Sequence, residues 1–318
     1  MTTSMSQVPV APRLGVVTVT FNSAPFLAEF FASSWSQSLA AFRLYAVDNA
    51  SRDATAQALS GESDPRLRIV LNSRNAGVAE GNNQGIVQAL ADGCEWVLLL
   101  NNDTSFSPTL FAELIEGAQA YDWKVVVPKI HFDEPAGHIW YGGGGFNPRR
   151  GHTGYHTGIG APDHAQFDAS KTVDYSPTCS MLVHRSVFEQ IGLMDETYFV
   201  YFDDTDFCWR LRQAGIPIGY WPRASLVHKV GGSTGGSSSP FSAGMTARNR
   251  LYFLRKHFGA LSPVAWLPVF LPYYAVRYLL RSWNPQSFRA SLRGSFSYRT
   301  MVERTPRIDA SASRRSTR

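Results

Sequence analysis

Cysteine is scarce in this 318-residue chain: Cys94, Cys179 and Cys208 are odd in number, far apart and without a Cys-x-x-Cys spacing. Neither a disulfide framework nor a thiolate zinc site is expected, and a reducing cytosol fits best. Long apolar runs are lacking too. Residues 1–13 contain no stretch of signal-peptide length, so export is not expected and the segment reads as a disordered N-terminus. Leu261 to Leu280 is mostly apolar but is interrupted by Pro263, Pro268, Pro272 and Arg277, which disfavours a straight membrane span. Also missing is a Gly-rich loop with a lysine after the first strand. Val17 to Pro25 offers neither, which weighs against a nucleotidyltransferase. Acidic residues nearly vanish at the end of the chain: residues 276–318 set ten arginines against Glu303 and Asp309, a net of +8 where the whole chain carries +5.

What is present is enough apolar material, 44% of residues, for one large domain or two modest ones. Residues 14–128 alternate strand and helix patterns. Leu14 to Phe21, Leu44 to Val47, Leu67 to Leu71, Trp96 to Leu100 and Val125 to Val127 read as strands. Phe26, Leu27, Phe30, Phe31 and Trp35 recur at helical spacing, Ser51 can cap a short helix, and Ala79 to Ala91 reads as a helix closed by Gly93. Such alternation implies βαβ units and a mostly parallel sheet. Beyond Pro128 the Gly- and His-rich stretch from Tyr141 to Pro162 predicts hairpins and loops. Val173 to Val183 then reads as strand, Phe188 to Met194 as a short helix, and Asp203 opens a helix that stops at Gly215.

Two places concentrate chemistry. Val97 to Leu100 runs directly into Asn101-Asn102-Asp103, and ligands of open α/β sheets collect beyond the carboxyl ends of such strands. One carboxylate there suits a divalent cation that also binds phosphate oxygens. The competing reading is a turn before a helix capped by Ser107 with Pro108 at its first position. Further on, Asp203, Asp204 and Asp206 lie within four residues, behind Tyr198, Phe199, Tyr201 and Phe202. Helix-dipole compensation accounts for one or two of them. A carboxylate walled by aromatics has the raised pKa that a general base needs.

Taken in order, the motifs resemble the inverting family 2 glycosyltransferases, in particular their rhamnosyltransferase-like branch. The resemblance runs from about Val16 to His257. It rests on Val19-Thr20-Phe21-Asn22, Val47-Asp48-Asn49-Ala50-Ser51, Asn75-Ala76-Gly77, Gly81-Asn82-Asn83 and Asn101-Asn102-Asp103. It continues through Thr178-Cys179-Ser180, Tyr201-Phe202-Asp203-Asp204-Thr205-Asp206, Cys208-Trp209-Arg210-Leu211 and His228. The implied fold is α/β of the GT-A (Rossmann-like) type: a mixed, mostly parallel sheet flanked by helices, with a C-terminal helical extension. Residues 14–128 would be the nucleotide-sugar-binding half and 129–258 the acceptor-binding and catalytic half of the same domain. An apolar helical segment over 259–290 and a basic, disordered tail over 291–318 would follow.

The resemblance also assigns roles. Thr20, Asn22, Asp48, Asn49 and Ser51 would form the pocket for a uracil or thymine base. Arg74, Asn75, Gly77, Asn82 and Asn83 would wall the ribose and diphosphate, joined by Asn101, Asn102 and Asp103. The family's metal motif is Asp-x-Asp, and here Asn101 stands at its first position. Asp103 and His228 are then the implied ligands of Mn2+ or Mg2+. Asp204 would be the catalytic base, and Asp203, Trp209 and Arg210 would bind the acceptor, with Asp206 structural. The Gly/Ser run over 231–239 is placed to act as a lid, and Arg248 and Arg250 either reach the diphosphate or form a solvated helix face. The expected partners are a nucleotide-sugar donor and a glycan or lipid-linked acceptor, with no nucleic acid. Leu261 to Leu280 and its basic neighbours suit peripheral contact with the cytoplasmic face of the inner membrane; the same segment alternatively packs on the domain or serves a homodimer. A non-catalytic nucleotide-sugar-binding module is the other reading, favoured by Asn101.

Overall fold

The computed structural model describes residues 14–229 and 238–308. Its first half follows the predicted alternation: β1 (Leu14–Thr20), α1 (Ala24–Trp35), β2 (Phe42–Asp48), α2 (Thr55–Gly61), β3 (Leu67–Leu71), α3 (Gly77–Ala91) and β4 (Trp96–Leu100). The four strands pair in parallel, with β1 between β4 and β2, and β3 beyond β2. Helical crossovers impose this arrangement, because a chain that returns through a helix re-enters the sheet in the same direction. Thr20 pairs with Asp48, so polar residues that end neighbouring strands share one edge.

The second half adds β5 (Thr104–Phe106), α4 (Leu110–Tyr121), β6 (Val125–Phe132), β7 (Ile139–Tyr141), β8 (Gly144–Asn147), β9 (Thr153–His156), β10 (Lys171–Val173) and β11 (Ser180–His184). Then come α5 (Arg185–Ile191), α6 (Asp203–Gln213) and β12 (Ile218–His228). The main path of the sheet is β10-β12-β6-β11-β4-β1-β2-β3, with β5 paired to β12 and β7 to β6, while β8 and β9 form a separate hairpin. β11 is antiparallel to both β4 and β6, and β12 is parallel to β6. This is the mixed, mostly parallel GT-A sheet. Its central strands are buried on both faces, as Val16, Val17, Leu98, Leu99, Val126, Met181 and Leu182 show.

Three C-terminal helices complete the chain: α7 (Pro240–Phe258), α8 (Ser262–Leu279) and α9 (Pro285–Ser297). α7 and α9 meet through small residues. A methyl group on Gly294 would lie 2.2 Å from the carbonyl oxygen of Gly244, so the helices approach to backbone contact.

Several local expectations are corrected. Ser51 caps no helix: α2 starts at Thr55 behind Ala54, because the Ser51 hydroxyl is bonded to Asp48. Ser107 and Pro108 precede rather than open α4, which starts at Leu110 behind Thr109, and β5 takes up the residues after Asp103. Val173 to Val183 is two strands, β10 and β11, broken around Pro177. The helix expected over Phe188 to Met194 is α5, which ends at Ile191 before Gly192 at φ +79°. The disordered tail expected from residue 291 is instead helix to Ser297, and the following segment docks: the Leu193 and Glu196 N–H groups donate to Pro306 and Arg304 carbonyls at 2.9 and 3.0 Å. The lid expected over 231–239 falls almost wholly outside the described residues, where residues 1–13 and 309–318 also lie.

Candidate active site

The carboxyl ends of β1 and β2 carry a fixed carboxylate. Asp48 is buried, and its Oδ1 accepts from the Thr20 hydroxyl at 2.9 Å and the Ser51 hydroxyl at 2.5 Å, while Oδ2 accepts from the Ser51 N–H at 3.0 Å. A carboxylate oxygen has two acceptor directions, so Oδ2 keeps one for a ring N–H. Asn22 adopts φ +53° and ties the neighbouring turn, its N–H donating to the Ser51 hydroxyl and its Oδ1 accepting from the Arg52 N–H. Asn49 donates to the Gly77 carbonyl at 2.9 Å and accepts from Asn72. The residues expected to hold the base therefore form one bonded group.

The expected ribose and diphosphate wall is only partly assembled. Arg74 is largely exposed and pairs with Glu80 at 2.6 Å, and Asn75 Oδ1 accepts from the Gly77 N–H in a local turn. Gly77 has φ +85°, and a methyl group there would lie 2.5 Å from the Phe199 carbonyl oxygen. Its permissive backbone thus serves contact with the protein rather than with a phosphate. Asn82 is buried on α3. Asn83 is occupied elsewhere, because its amide exchanges hydrogen bonds at 2.9 Å with both backbone groups of Met194.

At the end of β4 the three polar residues diverge. Asn101 is exposed and its N–H donates to the Cys179 carbonyl, which fixes the Thr178-Cys179-Ser180 turn against this edge. Asn102 is buried and donates to the Val19 carbonyl at 2.7 Å. Asp103 meets His228, at the end of β12, with Oδ1 3.2 Å from Nε2. Burial works against a charged imidazole here, yet Cys179 and Asp103 raise its pKa to about 10. As it stands the pair is a hydrogen-bonded ion pair; a divalent ion held by both side chains would have to displace the imidazole proton, since a histidine ligand is the neutral ring. Among the described residues no three His, Cys, Asp or Glu side chains form a metal site by themselves. An ion held here would complete its shell with water and donor phosphate oxygens.

The acidic stretch at the start of α6 forms a second cluster. The Tyr175 hydroxyl donates to Asp204 Oδ2 at 2.7 Å, and the Thr205 N–H and hydroxyl donate to Oδ1 at 2.6 and 3.1 Å. Burial raises the Asp204 pKa, and these bonds oppose the rise. For Asp203, burial and then the Asp204 charge push the pKa up to about 8. Asp203 is therefore the member that holds a proton more readily, and the side-chain donors around Asp204 favour that residue as the ionised one.

Rings join the two centres. The His228 ring lies 4.5 Å from that of Trp140, Trp140 lies 4.5 Å from His156, and His156 stacks at 5.9 Å on Tyr175. His156 Nδ1–H donates to the Trp140 carbonyl at 2.9 Å, and burial holds its pKa below the ordinary value. An uncharged ring so oriented leaves Nε2 as an acceptor. The sequence singles out neither Tyr175 nor His156. Both come from the Gly-rich insertion and the turn after β10, and only the hairpin register of β8 with β9 brings them in.

Other expected site residues are committed to the scaffold. Asp206 is fully buried and accepts from His257 Nε2 at 2.7 Å, Lys256 Nζ at 2.8 Å and Arg210 Nε at 2.8 Å. Burial raises its pKa, but His257, Arg210 and Lys256 together hold it well below the carboxylate range. Arg210 also donates to the Ile191 and Leu193 carbonyls, so its guanidinium is used up inside the protein rather than on an acceptor. Trp209 packs against Phe146, Phe253 and Phe258 in the core, which takes it out of the acceptor set. Arg248 donates to the Tyr198 carbonyl. Arg250 lies over the Phe202 and Phe270 rings with Nε buried and unpaired. Both arginines are partly buried, so neither forms a solvated helix face.

Comparison with known proteins bears on the family and the fold. Residues 15–192 match glycosyl transferase family 2. An N-acetylglucosaminyl-diphospho-decaprenol L-rhamnosyltransferase of Mycobacterium tuberculosis is 29% identical over 276 residues, covering 80% of this chain and 88% of that protein. A dTDP-rhamnosyl transferase of Shigella flexneri is 25% identical over 166 residues, 52% of this chain and 53% of that one. Among solved structures, a mannosyltransferase of Pyrobaculum calidifontis in complex with GDP-Man and Mn2+ superposes with a TM-score of 0.55 at 15% identity, over 92% of this chain and 88% of that one. S. aureus TarS in complex with UDP-GlcNAc gives 0.57 at 14% identity, over 76% and 66%.

Proposed function

The chain belongs to glycosyl transferase family 2, and on that premise we propose that it is an inverting, divalent-metal-dependent hexosyltransferase of cell-surface polysaccharide biosynthesis. The donor is dTDP-rhamnose, or else a UDP-sugar, and the acceptor is a hydroxyl of a glycan or lipid-linked saccharide. The rhamnosyltransferase relatives support the donor, and the diphospho-decaprenol acceptor named for one of them supports the lipid link. The work is that of the cytoplasmic face of the membrane.

One observation carries the reading: ring contacts through Trp140 and His156 link the Asp103–His228 pair to the Tyr175–Asp204 pair. Asp48, Thr20 and Ser51 orient the base. Asp103 and His228 would hold Mn2+ or Mg2+, which supplies Lewis-acid neutralisation of the departing diphosphate. Asp204 takes the proton of the attacking hydroxyl, and Asp203 and His156 Nε2 bind acceptor hydroxyls. Attack from the face opposite the diphosphate inverts the anomeric centre.

Sugar transfer from labelled donors, followed with acceptor for the wild type and Asp204→Asn, tests this. A positioned base is worth about 10² to 10⁴ in rate, so the variant loses that much turnover while nucleotide still raises its melting temperature. Wild-type protein that binds nucleotide sugars and transfers nothing would instead be the non-catalytic module; equal turnover in the variant removes Asp204 from the base role.

A further inference from the structure

α8 is apolar on both sides. Its inner side buries Pro263, Phe270 and Tyr274. Its outer side exposes Leu261, Val264, Pro268, Pro272, Val276 and Leu279 at helical steps of three and four, with Leu261 81% and Leu279 75% exposed and no charge among them. An outward stripe of this kind needs a partner. The charges around it are of one sign: residues 260–302 contain five arginines and no Asp or Glu. Arg281 follows the stripe directly, and Arg289 and Arg293 are exposed on α9. Arg277 lies over the Tyr273 and Trp283 rings.

We propose that the Leu261–Leu279 stripe of α8 lies in the headgroup layer of an anionic bilayer, with the arginines of α8 and α9 on lipid phosphates. Spanning is disfavoured, since no helix among the described residues is long and apolar enough to cross a membrane. Pro268 and Pro272 add to this. Lacking N–H groups, they leave carbonyls one turn earlier without helical partners, which water and headgroups satisfy and hydrocarbon does not. A second copy of the chain is the poorer occupant, because a two-fold contact would set these arginine-rich flanks near each other. The inner face connects the surface to the catalytic helix: Phe270 meets Arg250, whose guanidinium also covers Phe202, the residue before Asp203. The docking rests on the proposal of a lipid-linked acceptor only for its purpose, not for its physics.

Co-sedimentation with vesicles of phosphatidylcholine, alone or mixed with phosphatidylglycerol, tests it on the full chain. Wild type should partition to the anionic vesicles on the order of tenfold more strongly than to neutral ones, and salt should reduce that difference. Val264→Glu with Val276→Glu should lose at least about tenfold in binding, while the melting-temperature rise with nucleotide stays unchanged. If that variant does not fold, Arg289→Glu with Arg293→Glu replaces it, with the loss confined to anionic vesicles. Wild type that stays in solution with anionic vesicles overturns the proposal, as does a folded variant that binds like wild type. A dimer that the Val264/Val276 variant dissociates, with no vesicle binding, assigns the stripe to self-association instead. Failed sugar transfer with intact vesicle binding would sink only the functional proposal.

Discussion

Asp203 and Asp204 are neighbours in the chain with unlike surroundings. Asp204 receives three side-chain or adjacent donor contacts, from the Tyr175 hydroxyl and from Thr205, whereas Asp203 is buried against backbone N–H groups of the helix start. Burial raises the Asp204 pKa, and the Tyr175 hydrogen bond opposes the rise. A base must be ionised, so activity should fall as pH drops through that raised value. Tyr175→Phe removes a donor that favours the ionised form, so the acid limb of kcat/KM should move to higher pH. Near neutrality the variant should be slower by about tenfold to 150-fold, one hydrogen bond to a charged group being worth roughly 1.5 to 3 kcal/mol, and it should recover at alkaline pH. An acid limb that stays in place would free Asp204 from Tyr175. The carboxylate pair was legible in sequence, since three acids behind four aromatics exceed what a helix start requires. Tyr175 was not, because nothing local distinguishes it from any other tyrosine after a strand.

The approach to α6 shows how an element is aimed. Phe199, Tyr201 and Phe202 have φ of +64°, +64° and +67°, a left-handed conformation that costs non-glycine residues on the order of 1 kcal/mol each. Something must hold it. Asn249, fully buried on α7, donates from one amide nitrogen toward the Tyr198, Val200 and Tyr201 carbonyls at 2.8 to 3.0 Å. Gly77 admits the Phe199 backbone from the other side. The sequence discloses the helix and its Gly215 stop, but a clamp built from a residue nearly fifty positions away leaves no periodic signal. Asn249→Ala should leave the far-ultraviolet spectrum native, lower stability by about 1 to 3 kcal/mol in urea titration, and reduce kcat roughly a hundredfold as Asp204 loses its aim. Unchanged kcat in a destabilised variant would show that the turn keeps its shape without the clamp.

At the scale of the whole molecule, the sheet does the assembling. The first half was readable because βαβ alternation and the polar ends of β1, β2 and β4 are local. The order β12-β6-β11-β4 was not, since β11 runs antiparallel between two neighbours and β12 joins only after two hundred residues. What brings His228 to Asp103 is the antiparallel pairing of β5 with β12, Thr104 opposite His228, so the proposed ion would bind both halves of the fold at once. A ligand that binds only the folded state stabilises it by about 2.7 kcal/mol at a hundredfold excess over Kd, which raises Tm by a few degrees in a chain of this size. Nucleoside diphosphate with Mn2+ should therefore raise Tm more than the sum of either alone. His228→Ala should abolish the cooperative part and keep the shift due to nucleotide alone, because Asp48 and its partners lie elsewhere on the edge. A cooperative shift that survives in both His228→Ala and Asp103→Asn would mean that the ion, if bound, is held by other groups, and that the pairing of β5 with β12 serves packing instead.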